Sequence, residues 1–369
     1  MIITHIKTDG FRNLKEIDFC PENGTNIIFG ENAQGKTNLM EAVFVTTGEK
    51  SFRGARERDL IAFNSDKAEI EIGFRDSVRE QVISITLSKN PREKRILLNG
   101  VRLRSMSELL GKLLCVVFTP EDLELTKGSP ERRRDYLDRC ISQIKPLYSG
   151  VVTRYEKVLA QRNAVLKNIY LGISTRDELD IWDEQLAKPC AYISMMRCAY
   201  TDVLNRSAGR LYENISRSKE KLQLEYLSTV YTNLRGRNDY KTAMADEYIE
   251  LLRSLREEDI RFGFTQAGIH RDDMGVMLDG LSVKDFGSQG QNRSAALCMK
   301  LGQARVLHTE TGDRPVVLLD DVLSELDKYR REFVISEFTQ SQTFITCCEG
   351  ERIKGKSVEM REGRLRLNS

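Results

Sequence analysis

The stretch GENAQGKTNLMEA, Gly30 to Ala42, is the strongest structural signal in this 369-residue sequence. It fits the phosphate-binding pattern G-x-x-x-x-G-K-[ST]. The apolar run Ile27-Ile28-Phe29 precedes the loop, and helical spacing of apolar residues follows it. An ordinary glycine turn before a helix would not need this order of strand, loop, Lys-Thr and helix. The stretch therefore predicts an α/β nucleotide-binding unit.

Each residue type in this loop has a separate physical role. Gly30 and Gly35 permit the tight turn in which backbone N–H groups face the phosphates of a nucleotide. Lys36 can reach the β and γ phosphates, and the hydroxyl of Thr37 can hold Mg²⁺. The predicted nucleotide-binding residues of the loop are Gly30, Glu31, Asn32, Ala33, Gln34, Gly35, Lys36 and Thr37.

Composition places the chain among ordinary globular proteins. Hydrophobic residues make up 40% and charged residues 30%, and the net charge of +2 neither requires nor excludes a nucleic-acid partner. The N-terminus has no apolar signal segment, and no apolar run is long enough to cross a bilayer. Eight cysteines without a C-x-x-C pair indicate reduced, mostly packed thiols. We expect a soluble cytoplasmic protein that does not contact membranes.

The texture of the sequence predicts an α/β unit interrupted by a helical insertion. Residues 1–127 alternate short β-rich runs with turns, whereas residues 128–262 have helical spacing of apolar positions and few breakers. Strand texture returns in residues 263–369, where QTFITCCEG, residues 342–350, is the last clear strand candidate. We expect the two outer segments to form one domain and the middle segment a mainly helical arm.

A second signal is PVVLLDDV, Pro315 to Val322. Four apolar residues followed by two aspartates predict a buried strand that ends at the ligand-binding edge of an α/β sheet. Asp320 would hold Mg²⁺, and Asp321 could orient or deprotonate the attacking water. With Lys36, these two aspartates are the predicted catalytic residues, and Thr37 and Asp320 are the predicted metal ligands.

A third signal is GSQGQNRSAALCMKLG, Gly287 to Gly302, which is similar to the signature loop of ABC-type ATPases. A serine and a glycine amide at a helix start can receive negative charge such as a γ-phosphate. SELD, Ser324 to Asp327, resembles the D-loop of the same superfamily. The resemblance implies that a nucleotide is sandwiched between two subunits and adds four predicted contacts, namely Ser288, Gln289, Gly290 and Gln291.

Roughly 250 residues separate the phosphate loop from the signature loop. A short helical arm at this place is typical of the RecF family, which this sequence resembles in several further stretches. These are FRNL with Arg12, FTPEDLELTKGSPERRRDYLD at 118–138, and GIHRDDM followed by LDG at 268–280. SFRGARERDLIAF, from Ser51, also looks like the arginine loop of SMC heads, with Arg53 at the arginine position. The fold implied is an ABC-type, SMC-head-like P-loop ATPase domain interrupted by a mainly α-helical arm. Arg12 joins the predicted nucleotide contacts.

The resemblance implies a DNA-repair ATPase. Its cofactors would be ATP and Mg²⁺, and an ATP-dependent homodimer would clamp double-stranded DNA, including single-strand/double-strand junctions. Together with recombination-mediator proteins it would act in recombinational repair, replication-fork maintenance and the SOS response through weak, DNA-stimulated ATP hydrolysis. A transporter-type ATPase subunit and a small-molecule kinase remain the alternatives.

The sequence departs from the family pattern at three positions. Ile269 stands where the family usually has proline, and TFITCCEG supplies no histidine for the switch that many ABC ATPases use. Asp321 occupies a position that is glutamate in most relatives. Because its shorter carboxylate reaches less far toward water, we expect slow hydrolysis.

No zinc-finger, helix-turn-helix or RNP pattern occurs, so base-specific reading is not expected. Arginines occur in clusters that could contact phosphates, each adding to the salt dependence of binding. The arginine-loop resemblance makes Arg53 and Arg56 the predicted DNA-binding residues. His270 lacks metal-ligand spacing and is expected to be a hydrogen-bonded structural residue, and Trp182 is expected to pack in the core.

Overall fold

The computed structural model describes residues 1–348 and 353–367. Its backbone divides into two compact units. The first unit comprises Met1–Glu124 with Ala296–Ser369, and the second unit comprises Leu125–Ala295.

The strands, in chain order, are β1 (Ile2–Asp9), β2 (Ile17–Phe19), β3 (Thr25–Phe29), β4 (Lys67–Arg75), β5 (Glu80–Ser88), β6 (Glu93–Leu98), β7 (Val101–Arg102), β8 (Cys115–Phe118), β9 (Leu222–Leu227), β10 (Asp273–Leu278), β11 (Leu281–Ser282), β12 (Val316–Asp320), β13 (Thr343–Cys347), β14 (Lys356–Arg361) and β15 (Arg364–Leu367). The helices are α1 (Lys36–Val45), α2 (Pro130–Ile144), α3 (Leu147–Tyr170), α4 (Glu178–Ser216), α5 (Ala243–Ser254), α6 (Arg256–Phe262), α7 (Val283–Phe286), α8 (Gln289–Thr311) and α9 (Lys328–Glu337).

Two sheets build the first unit. One is antiparallel, with strand order β2-β1-β4-β5-β6-β7. Strands β4 and β5 alternate buried and exposed residues over much of their length, as expected for a sheet with one solvent-exposed face. The other has the order β15-β14-β3-β13-β12-β8, and the pairs from β14 to β8 are parallel. Strands β12 and β13 are buried throughout, which explains their unbroken apolar runs.

Helix α1 packs in the core that the two sheets share. Its residues Leu39, Met40 and Val43 are buried in one apolar cluster with residues of both sheets, including Ile72 and Leu318. Because β3 is parallel to β13, and β13 to β12, the carboxyl ends of these strands meet at one edge. The phosphate loop and the aspartate pair therefore come together there, as Pro315–Val322 and Gly30–Ala42 predicted.

The second unit contains helices α2 to α7 and a small sheet of order β11-β10-β9. Helix α4 alone has 39 residues, and Pro189 lies inside it. The unit boundary falls within α8, between Ala295 and Ala296. Within the described residues, no helix combines the length and apolar character that a membrane span requires.

Three strands lie where the sequence did not predict them. Strand β9 lies within the segment expected to be mainly helical, and β14 and β15 follow the stretch taken as the last strand. The last two residues of that predicted strand, Glu349 and Gly350, lie outside the described residues. The division into 1–127, 128–262 and 263–369 remains a prediction. In the observed compact units, β9, β10 and β11 belong together, because β10 pairs with β9 on one side and with β11 on the other.

Candidate active site

The phosphate loop connects β3 to α1 through a backbone that requires glycine at two positions. Gly30 has φ of +150°, and a Cβ there would lie 2.4 Å from the carbonyl oxygen of Met360. Gly35 has φ of +117° and caps the N-terminus of α1. These conformations leave the N-terminal amides of α1 without side-chain caps, which suits an anion-binding loop.

Neighbouring segments fix the loop from two sides. The side-chain amide of Asn13 donates to the carbonyl of Ala33 at 3.1 Å. The backbone carbonyl of Gln34 accepts a hydrogen bond from the amide of Gly363 at 3.0 Å. Its side-chain oxygen accepts one from the amide of Glu362 at 2.6 Å. The predicted loop residues are thus held by the FRNL segment and by the turn between β14 and β15.

Lys36 is 7% exposed, so its charge requires polar partners. Its amino group donates to the carbonyl of Gly30 and, at 2.9 Å, to the carbonyl of Glu31. Both acceptors belong to the loop itself. The lysine therefore holds its cationic head inside the curve of the loop, where a phosphate chain would lie.

Asp320 ends β12 beside Thr37 and Thr346. The hydroxyls of Thr37 and Thr346 both donate to its Oδ1, at 3.0 and 2.8 Å. Burial raises the pKa of the Asp320 carboxyl, while the hydrogen bonds from Thr346 and Thr37 lower it and the charge of Asp321 raises it. A carboxylate and a hydroxyl oxygen that converge in this way are the hard ligands Mg²⁺ prefers, so the residues fit the predicted metal.

Asp321, the next residue, has an unusual backbone conformation. Its φ is +52°, in the left-handed region that non-glycine residues rarely adopt. Its amide donates to the Thr346 hydroxyl at 2.9 Å, and its carbonyl accepts from the Ser324 hydroxyl at 2.7 Å. The peptide between the two aspartates is thereby fixed, and the Asp321 side chain lines the cleft.

A buried carboxylate lies behind the loop. Glu41, on α1, is fully buried and accepts from Arg12 at 3.0 and 2.9 Å through both carboxylate oxygens. The Ser51 hydroxyl donates to it, and the Arg53 guanidinium lies 3.7 Å away. One buried acid therefore fixes Arg12, a predicted nucleotide contact, and Arg53, a predicted DNA contact.

These groups surround an open cleft of about 920 Å³. Its lining includes Arg12, Lys36, Thr37, Arg53 and Asp321, so the structure brings these predicted residues together. Arg53 also donates to the Asn38 side chain at 2.9 Å. Arg56 is exposed, and the role of both arginines in DNA binding remains a prediction.

The predicted signature loop starts α8. The amide of Ser288 donates to the Gln291 side chain at 2.7 Å, and the amide of Gln291 donates to the Ser288 hydroxyl at 3.2 Å. This reciprocal pair is a capping box. Because the Ser288 oxygen is the acceptor, its own proton can still be donated to an anion. Gln289 is exposed and Gly290 partly exposed at the same helix start.

Some side chains that resemble functional ones have structural roles. Arg133 is buried, donates to Asp273 at 2.7 and 2.8 Å and is therefore no DNA contact. His270 bonds to Tyr155 and to the Thr265 carbonyl, as expected of a structural histidine. Trp182 is only half-buried, so the expected core position is wrong. Six of the cysteines are buried, namely Cys115, Cys140, Cys190, Cys198, Cys298 and Cys347.

Sequence reasoning missed Thr346 and Glu41. Thr346 stands in a stretch that predicts a strand and lacks a switch histidine, and nothing local marks its contact with Asp320. Glu41 lies in a helix that is buried on nearly every side, and its polar type at a core position is the one signal that could have identified it.

Comparisons with known proteins show which family the chain belongs to. The family model described as RecF/RecN/SMC N terminal domain matches residues 2–361. The DNA replication and repair protein RecF of Geobacillus thermodenitrificans (strain NG80-2) is 37% identical over 362 residues, which is 97% of this chain and 96% of that protein. RecF of Bacillus subtilis (strain 168) is 38% identical over 349 residues, 94% of this chain and 93% of its own.

Solved structures agree as well. One described as the recombination mediator protein RecF-ATP in RecFOR pathway has a TM-score of 0.92 and 35% identity, covering 100% of this chain and 98% of its own. An SmcHead bound to the C-winged helix domain of ScpA has a TM-score of 0.56 at 17% identity, covers 99% of this chain and 96% of its own, and shows the fold alone. The fold is thus that of an ABC-type, SMC-head-like ATPase. With full-length identity well above 30% to several RecF proteins, the chain belongs to the RecF family.

Proposed function

We propose that this chain is an ATP-dependent DNA-binding protein of recombinational repair and replication-fork maintenance. The observation that carries the proposal is the convergence of Lys36, Thr37 and Asp320 on the mouth of one phosphate loop. Support also comes from relatives named DNA replication and repair proteins and from a similar structure described as RecF-ATP.

Different residues of the cleft would bind ATP, hold the metal ion and assist hydrolysis. The loop amides and Lys36 would bind the phosphates, and Thr37 and Asp320 would hold Mg²⁺, which supplies charge neutralisation at the β and γ phosphates. Asp321 would orient the attacking water or accept its proton. An aspartate reaches less far than a glutamate at this position, so hydrolysis would be slow.

Dimerisation would complete the site. Ser288 to Gln291 of one copy would close over the ATP held by a second copy, with the Ser288 proton and the amides at the start of α8 directed at the γ-phosphate. The ATP-bound dimer would clamp duplex DNA or a single-strand/double-strand junction, with Arg53 and Arg56 contacting phosphates. ATP hydrolysis, stimulated by DNA, would release the DNA. Recombination-mediator proteins would be the partners of the dimer.

Nucleotide-dependent retention of duplex DNA tests this proposal. We expect the protein to bind a labelled duplex with ATP and Mg²⁺ but not with ADP, and Lys36→Ala to lose both ATP and duplex binding. Arg56→Gln should keep ATP binding and weaken duplex binding about tenfold at moderate salt. Its matched control is Arg79→Gln, another exposed arginine of the first unit.

Duplex binding of equal strength with ATP, with ADP and in Lys36→Ala would contradict the clamp. ATP turnover with a small-molecule acceptor and no duplex binding would favour the kinase alternative.

A further inference from the structure

Two phenylalanines lie side by side on the surface of the second unit. Phe262 ends α6 and is 50% exposed, and Phe264 is 38% exposed. Their ring centroids are 5.9 Å apart, with the ring planes tilted by 33°. Gly263 between them has φ of +72°, which turns the chain so that both rings share one surface. An exposed aromatic pair of this kind points to a binding surface.

Cationic groups adjoin both rings. The Arg261 guanidinium carbon lies 4.6 Å from the Phe262 ring centre, and that of Arg271 lies 4.9 Å from the Phe264 ring centre. A third cation, Lys167, runs past Gly263, where a Cβ would lie 3.2 Å from its Cγ. Each ring thus has its own guanidinium, and a lysine lies beside the pair.

These cations are not neutralised by the protein. Within residues 1–348 and 353–367, Arg261, Arg271 and Lys167 have no carboxylate within ion-pairing distance. Other arginines of the same unit do, for example Arg162 with Asp183 and Asp259. The charge at the aromatic pair is therefore available to a ligand.

Glu257 and Glu258, in the first turn of α6, do not pair with these three cations. Glu257 pairs with Arg176 at 2.8 Å, and Glu258 accepts a hydrogen bond from the Gln266 side chain at 3.3 Å. The surface around the rings therefore has a local excess of positive charge, and a matching ligand combines negative charge with flat, apolar faces.

We propose that Phe262 and Phe264, with Arg261, Arg271 and Lys167, form a stacking site for single-stranded nucleic acid. Unpaired bases stack on aromatic rings and on guanidinium planes, while the sugar-phosphate backbone contacts cations. Duplex DNA keeps its bases stacked on each other and offers only phosphates to such a surface. The site therefore distinguishes an unpaired strand from a duplex.

This inference goes beyond the proposed function. It concerns the second unit, whereas the phosphate loop, Arg53 and Arg56 belong to the first. Strand stacking here requires neither ATP nor dimerisation, so it can be tested without nucleotide, and its failure would leave the ATP-dependent clamp untouched.

The experiment measures fluorescence anisotropy of a labelled oligothymidylate with the full-length protein. The variant Phe262→Leu/Phe264→Leu keeps apolar side chains but removes both rings, and we expect it to lose at least about tenfold in single-strand affinity. Arg261→Gln/Arg271→Gln should lose a similar factor in affinity. The slope of log affinity against log salt concentration should fall by the equivalent of about one to two phosphate contacts. Affinity for a duplex, measured with ATP and Mg²⁺, should be unchanged in both variants.

The control is Arg176→Gln, which removes an exposed arginine of the same unit that is already paired with Glu257. It should bind oligothymidylate like the wild type, and unchanged melting temperatures would show that all variants are folded. Wild-type oligothymidylate affinity in the leucine variant would overturn the proposal, because a surface for a protein partner tolerates leucine. Equal losses for single strands and duplex would also overturn it, since they indicate phosphate contact without stacking.

Discussion

The hydroxyl of Thr346 links the two halves of the aspartate pair. It donates to Oδ1 of Asp320 at 2.8 Å and accepts from the amide of Asp321 at 2.9 Å. Thr346 lies on β13, where it is paired with Asp320, the last residue of the neighbouring strand β12, and Asp321 follows directly after that strand. One buried hydroxyl therefore fixes the orientation of a predicted metal ligand and the position of the predicted base.

Removing this hydroxyl should slow hydrolysis more than it weakens ATP binding. We expect Thr346→Val to reduce kcat about tenfold, since a hydrogen bond to a charged group contributes about 1.5–3 kcal/mol, and to raise the Mg²⁺ concentration needed for half-maximal rate. Steady-state ATPase assays across Mg²⁺ concentrations measure both effects.

Thr346→Ser should retain most of the activity, because it keeps the hydroxyl. Thr343→Val makes the same change at the other end of β13, where the hydroxyl bonds to the Ser341 carbonyl, and should leave the Mg²⁺ dependence unchanged. If Thr346→Val matched the wild type, the hydroxyl would have no positioning role.

The environment of Asp320 predicts a pH-dependent stability. Burial raises the pKa of this carboxyl in the folded protein above its ordinary value, so the folded state holds the proton more tightly than the unfolded chain. The resulting stability is fully present below the ordinary pKa and is lost as pH rises through the folded pKa. At neutral pH without Mg²⁺, the charged carboxylate therefore destabilises the fold.

Asp320→Asn should thus raise the melting temperature in EDTA at neutral pH by about 2 °C, for a gain of about 1 kcal/mol. The gain should shrink as the pH is lowered toward the ordinary pKa of a carboxyl, because the wild-type group then becomes neutral too. Asp59→Asn, an exposed change at the edge of the same cleft, is the control. A lower melting temperature for Asp320→Asn at neutral pH would show that the carboxylate stabilises the fold.

Glu41 should be needed both for stability and for nucleotide binding. Replacing it with glutamine leaves the Arg12 and Arg53 guanidinium groups beside a neutral buried partner, which should lower the free energy of unfolding by about 2–3 kcal/mol. Looser positioning of Arg12 should weaken ATP binding about tenfold. Denaturant unfolding and a fluorescent ATP analogue measure the two effects.

Glu57→Gln is the matched control for Glu41→Gln, because Glu57 is exposed and pairs with Lys94 on the surface. Its effect on stability should stay below about 1 kcal/mol. Should Glu41→Gln prove as mild as this control, the buried carboxylate would not organise the cleft.

The length of the Asp321 side chain should limit the hydrolysis rate. Asp321→Glu extends the carboxylate by one methylene toward the water, and we expect kcat to rise several-fold, up to about tenfold. ATP affinity should remain unchanged, which single-turnover and binding measurements can separate. A slower Asp321→Glu enzyme would mean that the aspartate is already at the right distance.

The sequence revealed the parts of the site that are local in the chain. The loop from Gly30 to Thr37 and the pair Asp320-Asp321 each carry their chemistry within a few adjacent residues, so a motif identifies them. Thr346 could not be found in this way, because its contact depends on the parallel register of β12 and β13. The same holds for Glu41, whose partners Arg12 and Ser51 come from separate segments.

The missed strands have a similar explanation. In β9, the alternation of Leu222, Leu224 and Tyr226 is only six residues long and follows a 39-residue helix whose texture dominates the region. In β14, only Val358 and Met360 are buried, and charged residues stand between and after them. Short strands whose partners lie far away in the chain give little local signal.

The signature-loop residues support the remaining prediction, an ATP-dependent dimer. Ser288→Arg should abolish dimerisation while leaving ATP binding to the monomer intact, because the bulky cation would occupy the place of the partner's phosphates. Ser288→Thr keeps both the hydroxyl and the helix cap and should still dimerise. Analytical ultracentrifugation with ATP and Mg²⁺ compares the two variants, and dimers of Ser288→Arg would exclude the loop from the interface.

The molar mass of Asp321→Asn, measured by light scattering with ATP and Mg²⁺ and then with ADP, tests whether ATP joins two copies of the chain. This variant should bind ATP without hydrolysing it and so accumulate the ATP-bound state. We expect a mass that doubles with ATP and stays at that of one chain, 42.3 kDa, with ADP. A monomer under both conditions, with ATP demonstrably bound, would contradict this expectation.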